Sequence, residues 1–214
     1  MYTLYGTRGS GSAVAEMGLL ACAVPWRFVR ASRWEKDSAF EELLQINPLG
    51  QIPTLLLPRK RVLTESAAIL MHLGLEHPAS RLLPATSARR AQALRGLVFI
   101  AANCYAAISV ADYPERWCEG AGEALRKRVR AAARGQLHAA WDLFADQFGA
   151  RPCLSGAVPG ALDMLAVVVS RWSGARAHLA VSRPRFLQLL HRIEGHPRVH
   201  GVMAEHFDPV AAPR

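Results

Sequence analysis

The chain contains 214 residues, of which 51% are hydrophobic and 20% are charged, and its formal net charge is +9 at pH 7. This length and composition predict a folded protein with a sizeable core, in one unit or two small domains, and exclude a disordered chain. The first residues contain no basic segment followed by an apolar one, and no apolar run approaches the roughly 20 residues of a membrane span. We therefore expect a cytoplasmic protein with no membrane partner.

The positive charge does not follow the pattern of a nucleic-acid-binding surface. Residues 1–80 carry 8 basic and 7 acidic side chains, and the excess in residues 81–214 is spread along predicted helices that also carry acids. No recognisable nucleic-acid-binding motif accompanies this excess. We expect a solvated basic surface that mildly attracts anionic substrates, and no nucleic-acid partner.

The residue types that bind metals show no metal-site spacing. The eight histidines form no ligand pattern, and the cysteines include no C-x-x-C pair. The four cysteines are Cys22, Cys104, Cys118 and Cys153. The sequence therefore predicts no metal site and no dithiol redox site.

The N-terminal pattern predicts a β-α-β unit. A strand over residues 2–5 is followed by a glycine-rich loop, an amphipathic helix over about 12–23 and a second strand over 26–29. The loop sequence, Gly-Thr-Arg-Gly-Ser-Gly-Ser, fits neither G-x-G-x-x-G nor a P-loop, so we exclude nucleotide binding there. A short helix over about 37–45 follows.

Residues 46–70 read as a β-hairpin followed at once by a helix. Two apolar runs, 52–57 and 61–63, flank a turn-forming Pro-Arg-Lys sequence. Glu65 and Ser66 come where the helical spacing of apolar residues begins. Because the N–H groups at a helix N-terminus are unpaired and the helix dipole is positive there, this position favours a carboxylate.

Pro53 has no N–H to give to a strand ladder, so we expect it at the first position or the edge of a strand. If its peptide bond with Ile52 is cis, the chain turns sharply there. Ile52 then presents its own N–H and C=O to a peptide-like ligand.

The order and spacing of these residues resemble the glutathione-binding half of the soluble glutathione transferases. The matching stretches are N-P-L-G-Q-I-P-T-L and L-T-E-S-A-A-I-L. In that family the proline is cis, the residue before it pairs by main chain with the cysteinyl part of glutathione, and the Glu-Ser pair holds the γ-glutamyl end. The resemblance implies that glutathione, as a cosubstrate, binds to five residues: Gln51, Ile52, Pro53, Glu65 and Ser66. It also implies an α/β thioredoxin-like domain over residues 1–78.

After a linker at residues 79–87, the pattern is entirely helical. We predict long helices over 90–111 and 122–148, a central buried helix over 161–169, and two further helices over 183–193 and 199–206. The predicted buried side of the first long helix consists of Leu94, Leu97, Val98, Ala101, Ala102 and Tyr105. The fold class is thus a thioredoxin-like domain followed by an all-α domain over residues 88–214, as in glutathione transferases.

The capping box of the central helix is incomplete. The family carries Ser/Thr-x-x-Asp there, in which the hydroxyl and the carboxylate each pair one N–H group. Here the aspartate is present as Asp163, but Gly160 takes the place of the hydroxyl residue. Because glycine is a tolerable N-cap, we expect the helix to form.

The resemblance implies a catalyst in the loop after the first strand. A thiol with a pKa near 8.5 is only slightly ionised at neutral pH, and the thiolate is the nucleophile. We expect Ser10, in the middle of the loop, to stabilise the thiolate. Ser12, Tyr5 or the backbone amides near Gly9 and Gly11 remain alternatives. The loop has no cysteine, which argues against mixed-disulfide chemistry.

We therefore expect a homodimeric glutathione transferase that attacks a small hydrophobic electrophile. Asn103 and Tyr105 are our candidates for the electrophile pocket. One alternative is a glutathione-dependent isomerase, peroxidase or dehalogenase. The other is a non-catalytic relative with a regulatory role, such as a protein that binds RNA polymerase.

Overall fold

The structure, a computed structural model, describes residues 1–150 and 152–208. Its N-terminal part contains the strands β1 (Tyr2–Gly6), β2 (Trp26–Arg30), β3 (Thr54–Leu56) and β4 (Val62–Leu63), and the helices α1 (Ser12–Cys22), α2 (Phe40–Ile46) and α3 (Ser66–Glu76). The strands form one sheet in the order β2-β1-β3-β4, with β1 parallel to β2 and antiparallel to β3, and β3 antiparallel to β4. The predicted thioredoxin-like arrangement is confirmed.

The central strand β1 separates two layers of side chains. All five of its residues are buried. Leu4 joins the large core under α1 and α3, whereas Tyr5 packs with Leu43 of α2 and with Ala31. Because neighbouring residues of a strand point to opposite faces, the side chain of Tyr5 is directed away from α1 and toward α2.

The C-terminal part is helical, and its described residues contain no strand longer than a single bridge. Its helices are α4 (Ser87–Phe99), α5 (Ala106–Asp112), α6 (Glu123–Phe148), α7 (Ala161–Val169), α8 (Ala175–Ser182), α9 (Pro184–Glu194) and α10 (Pro197–Phe207), and a π-helical segment (Ile100–Tyr105) joins α4 to α5. All nine residues of α7 are buried, and α7 packs against α1 and α3 as well as α4 and α9. The prediction of a central buried helix is confirmed.

The prediction of helices missed α8. The segment begins after Gly174, whose φ of 79° is in the left-handed region, and its alternating small and basic residues give little apolar periodicity. Only Ala175 and Leu179 of α8 are buried. A helix that contributes so few side chains to the core leaves a weak pattern in the sequence.

The predicted buried side of the first long helix was correct for Leu97, which belongs to the core, and for Leu94, Ala101 and Tyr105, which pack against it, but wrong for two residues. Val98 is 55% exposed and Ala102 is exposed, whereas Ile100 and Cys104 are fully buried. The core side of α4 instead includes the small residue Gly96, where an added Cβ would lie 2.8 Å from the side chain of Leu162. Small residues permit this close packing. A prediction based on large apolar residues alone therefore assigns some wrong residues to the core side of the helix.

The continuous helix Ser87–Asp112 also contradicts our expectation about apolar runs. Among the described residues, it is the one helix long and apolar enough to cross a membrane, and its most apolar 18-residue window has a mean hydropathy of 1.6. Core helices of soluble proteins pass the same test. Here Leu97, Ile100 and Cys104 belong to the hydrophobic core.

Asp163 anchors the N-terminus of α7. Its carboxylate accepts hydrogen bonds from the backbone N–H groups of Leu154 (2.6 Å), Ser155 (2.9 Å) and Gly160 (3.0 Å). An added Cβ on Gly160 would lie 2.8 Å from the side chain of Ser155. The carboxylate half of the capping box is therefore present, and Ser155 occupies the space beside Gly160.

The last helix returns to the N-terminal domain and packs beside the loop after β1. Arg8 forms an exposed ion pair with Glu205 at 2.8 Å. The buried imidazole of His206 lies 2.9 Å from the Glu16 carboxylate of α1. The helix α10 thus contacts both the loop and the first helix that follows it.

Candidate functional site

Four elements meet at Gly11, the residue immediately before α1. A Cβ placed on Gly11 would lie 2.7 Å from the Tyr105 hydroxyl, 3.3 Å from Pro53 Cδ and 3.3 Å from Ser66 Oγ. These three atoms come from the π-helical segment, the turn before β3 and the first turn of α3. The site therefore brings together three stretches that are distant in sequence: the loop after β1, the turn at Pro53 and the helix start at Glu65 and Ser66.

Ser10 lies in this loop and takes part in a closed hydrogen-bond network. The Thr7 N–H donates to Ser12 Oγ at 3.2 Å, the two serine hydroxyls are 2.8 Å apart, and Ser10 Oγ donates to the Thr7 carbonyl at 2.7 Å. Ser10 is half-buried, whereas Ser12 is fully buried. Of the two serines, only Ser10 is partly accessible to a ligand.

Tyr5 is positioned away from this site. Its hydroxyl donates to the Glu42 carboxylate at 2.6 Å, and its side chain is almost fully buried. Burial, reinforced by the carboxylate, raises the pKa of Tyr5 to about 12. Its proton is already donated to a charged acceptor on α2, so Tyr5 supplies no donor to the loop.

The peptide bond between Ile52 and Pro53 is cis, as the resemblance implied. The ladder with β1 begins at Thr54, and in the described part of the chain the Ile52 main chain forms no hydrogen bond. Gln51 is exposed, and its carbonyl accepts hydrogen bonds from Asn47 Nδ2 at 3.2 Å and Thr54 Oγ1 at 2.7 Å. This turn leaves the main chain of Ile52 available to an extended ligand.

Asn47 is a structural residue of the site that the sequence analysis did not identify. Its side chain is buried and donates to Thr54 Oγ1 at 3.0 Å as well as to the Gln51 carbonyl. Its own Oδ1 accepts from the Leu49 N–H at 3.2 Å. The Asn-Pro pair at the start of the matching stretch was the available signal, because asparagine side chains commonly bond to nearby backbone groups in turns.

Glu65 and Ser66 form the N-terminus of α3, as predicted. Glu65 is the N-cap residue, with φ of 65° and ψ of 112°, which is a strained conformation for a residue that has a side chain. Ser66 is the first helical residue, and its hydroxyl faces Gly11. The free N–H groups of this helix end and the Ser66 hydroxyl form a donor set suited to a carboxylate.

The two residues expected in the electrophile pocket occupy different surroundings. Asn103 is exposed, and its side-chain amide donates to the Phe99 carbonyl at 3.0 Å. Tyr105 directs its hydroxyl to Gly11 and Ser66, and its ring packs against Trp172 with centroids 5.6 Å apart. Burial raises the pKa of Tyr105 to about 12, and the Ser66 hydroxyl acts in the opposite direction.

A second contact that the sequence analysis missed holds the loop from the side of β2. The Thr7 hydroxyl donates to the Glu35 carboxylate, and Arg30 pairs with the same carboxylate at 3.3 Å. Glu35 lies between β2 and α2, far from the loop in sequence. No local pattern connects it with Thr7.

The donors that converge at the site are hydroxyl and N–H groups, which are suited to anions. Among residues 1–150 and 152–208, no group of three or more histidine, cysteine or carboxylate side chains could hold a metal ion. The arrangement can therefore bind an anionic, peptide-like molecule by its main chain and by a carboxylate. It also provides hydroxyl donors near the start of α1.

Comparisons with known proteins agree with this geometry. Residues 12–77 match the family model described as the glutathione S-transferase N-terminal domain. An uncharacterized GST-like protein from Escherichia coli, YncG, is 39% identical over 130 residues, which cover 60% of this chain and 63% of that protein.

Solved structures extend the similarity over almost the whole chain. A glutathione transferase homolog from Sulfitobacter with bound glutathione has a TM-score of 0.81 at 22% identity, covering 96% of this chain and 98% of that one. A glutathione S-transferase from Pseudomonas fluorescens has a TM-score of 0.72 at 26% identity, covering 92% and 96%. Taken with the family match, these similarities support a bacterial-type glutathione transferase family: residues 12–77 match its N-terminal domain, and its fold is shared over almost the whole chain.

Proposed function

We propose that the protein is a glutathione transferase that attaches the glutathione sulfur to a small hydrophobic electrophile. This proposal rests on one observation: Pro53 and Ser66 lie beside Gly11 at the start of α1, and the nearby main chain of Ile52 forms no hydrogen bond in the described part of the chain. A purely structural helix start needs no such donor set. We further propose that the protein acts in the cytoplasm as a homodimer.

Glutathione would bind along the site in an extended conformation. Its γ-glutamyl carboxylate would accept hydrogen bonds from the Ser66 hydroxyl and backbone N–H, and its amino group would pair with Glu65. The cysteinyl unit would pair with the main chain of Ile52, and Gln51 would contact the peptide nearby. The thiol would then lie near the start of α1, beside Ser10.

Ser10 would favour the thiolate over the thiol. In the free protein its hydroxyl donates to the Thr7 carbonyl, a neutral acceptor. Turning this donor to S⁻ exchanges a neutral hydrogen bond for a charge-assisted one, which is roughly twice as strong. A hydrogen bond from the Ser10 hydroxyl to the neutral thiol would be no stronger than the one to the Thr7 carbonyl. The Ser10 hydroxyl therefore stabilises the thiolate selectively.

The reaction then follows from the bound thiolate. The thiol proton passes to solvent when glutathione binds and ionises. The sulfur electron pair forms a bond to the electrophilic carbon, and the leaving group departs with the electrons of its own bond. The positive surface charge assists by attracting the anionic cosubstrate.

The test of binding is calorimetric titration with glutathione. Ser66→Ala removes one charge-assisted hydrogen bond, so we expect it to weaken binding by about 1.5–3 kcal/mol. Ser87→Ala is a matched control, because Ser87 is also the first residue of a helix but belongs to α4. Unchanged affinity in Ser66→Ala would remove the γ-glutamyl assignment, and a wild type that binds no glutathione would favour the regulatory alternative.

The test of catalysis is the ultraviolet absorbance of the bound thiolate as a function of pH. We expect Ser10→Ala to keep most of the glutathione affinity, to move the pKa of the bound thiol toward its free value and to slow the reaction with an activated aryl halide about ten- to a hundredfold at neutral pH. Tyr5→Phe should titrate like the wild type, because Tyr5 donates to Glu42. If Ser12→Ala alone shifts the titration, the role passes to Ser12.

A further inference from the structure

The hydroxyl of Tyr105 reaches the proposed glutathione site from the helical domain. Tyr105 ends the π-helical segment, and π-helical turns frequently occur at functional sites. Its oxygen lies 2.7 Å from the Cβ position of Gly11, and Ser66 Oγ lies 3.3 Å from the same position. The two hydroxyls therefore flank one point.

The Tyr105 side chain is held in this orientation by its surroundings. Its ring packs against Trp172 at an interplanar angle of 55°. Burial keeps the phenol neutral far above physiological pH. Tyr105 therefore remains an O–H donor under all conditions in which the protein would bind glutathione.

Because both hydroxyls lie beside the same position, the chemistry of a hydroxyl group has a consequence for Ser66. A serine hydroxyl has one hydrogen and two acceptor lone pairs. If Tyr105 donates to Ser66 Oγ, the single Ser66 hydrogen is free to be donated elsewhere. An ionised carboxylate accepts hydrogen bonds and donates none, so it is the natural recipient of that hydrogen.

We propose that Tyr105 is a positioning residue for the γ-glutamyl carboxylate: when glutathione binds, the Tyr105 hydroxyl donates to Ser66 Oγ and so directs the Ser66 hydrogen to that carboxylate. This inference rests on the proposed binding of glutathione and assigns Tyr105 to the glutathione site. It also accounts for Gly11, because any side chain at that position would meet the Tyr105 oxygen.

The experiment compares two ligands by calorimetry. One is glutathione, and the other is γ-aminobutyryl-cysteinyl-glycine, in which a hydrogen replaces the α-carboxylate of the γ-glutamyl unit and the amino group is kept. Tyr105→Phe keeps the ring packed against Trp172 and removes only the hydroxyl. Tyr113→Phe is the matched control, because Tyr113 lies at the exposed end of the same helix.

We expect Tyr105→Phe to weaken glutathione binding about 3- to 10-fold, the size of one hydrogen bond, and to leave binding of the truncated ligand unchanged. In a Ser66→Ala background the same substitution should have no further effect on glutathione. The pKa of the bound thiol should not move. Gly11→Ala, which displaces the hydroxyl without removing it, should show the same selectivity for the complete ligand.

When Tyr105→Phe does change glutathione binding, three results would still overturn the inference. These are an equal loss for both ligands, additive losses in the Tyr105→Phe/Ser66→Ala double variant, and a shifted thiol pKa, which would assign the hydroxyl to the sulfur. If the wild type binds glutathione and Tyr105→Phe binds it equally well, the inference fails and the proposed function stands. If the wild type binds no glutathione, both fail.

Discussion

Gly11→Ala examines how tightly the site is packed. The backbone of Gly11 has φ of −61° and ψ of −9°, which alanine adopts without strain. The added methyl group would nevertheless lie 2.7 Å from the Tyr105 hydroxyl and 3.3 Å from both Pro53 and Ser66. The substitution therefore costs stability through overpacking and not through backbone conformation.

The magnitude follows from two opposing effects. Overpacking of a tightly packed site costs about 1–3 kcal/mol, whereas replacing glycine by alanine stabilises by about 0.4–1 kcal/mol through the unfolded chain. We expect a net loss of about 1–2 kcal/mol in the free energy of unfolding. For a chain of this size each kcal/mol corresponds to roughly 2–4 °C in Tm.

The assay is thermal and urea unfolding of Gly11→Ala beside Gly122→Ala. Gly122 is also an N-cap glycine, but a Cβ there would meet no atom within 4 Å. The difference between the two variants therefore isolates the steric contact. Adding Tyr105→Phe to Gly11→Ala removes the closest oxygen and should recover part of the loss. Equal Tm values for both glycine variants, or no recovery in the double variant, would refute this account of the site.

Four further predictions concern strain, the core, titration and assembly. Glu65→Gly should unfold no more readily than wild type, because it relieves a strained backbone worth about 1–3 kcal/mol, yet bind glutathione more weakly in calorimetry; a large loss of stability would show that the strain is absent. Asp163→Ala should cost about 3 kcal/mol or more in urea unfolding, because the buried Gly160 N–H and the partly buried N–H groups of Leu154 and Ser155 lose their acceptor, and a loss below 1 kcal/mol would contradict this. Burial, together with the stacked imidazole of His178, lowers the pKa of His138. The neutral imidazole therefore supports stability fully above the unfolded pKa near 6.5, and this support is lost as the pH falls below that value. His138→Phe should lose less Tm than the wild type between pH 7.5 and 5.5, and parallel plots of Tm against pH would contradict this. Sedimentation should give twice the 23.4 kDa of one chain, and Leu75→Glu, at an exposed apolar position of α3, should sediment as a monomer. A dimeric Leu75→Glu would contradict an interface at this position.

The sequence predicted the parts of the fold that depend on local patterns. Period-2 and period-3.6 apolar spacing located the strands and most helices, and the residue order from Asn47 to Leu70 predicted the half of the chain in which we propose that glutathione binds. The helix start at Ser66 followed from the apolar spacing, and the cis bond at Pro53 followed from the resemblance. These features are encoded within short stretches, so one sequence is enough to find them.

The contacts that hold the loop could not be predicted, because each joins residues far apart in the chain. Thr7 bonds to Glu35, and Glu16 bonds to His206 of the last helix. No periodicity or turn signal connects these pairs. They depend on how β2, α1 and α10 pack, which a single sequence does not specify.

Tyr105 shows most clearly what helical periodicity in a single sequence cannot predict. Its predicted location depended on the phase of one long helix, and the assumed face included Val98 and Ala102, which are exposed. The structure instead has a π-helical segment at residues 100–105, whose wider turn changes the direction of the residues at its end. Uniform α-helical spacing cannot represent that change. The position of the Tyr105 hydroxyl follows only from its neighbours in space. Those neighbours, Gly11 and Ser66, are the reason to assign it to the proposed glutathione site.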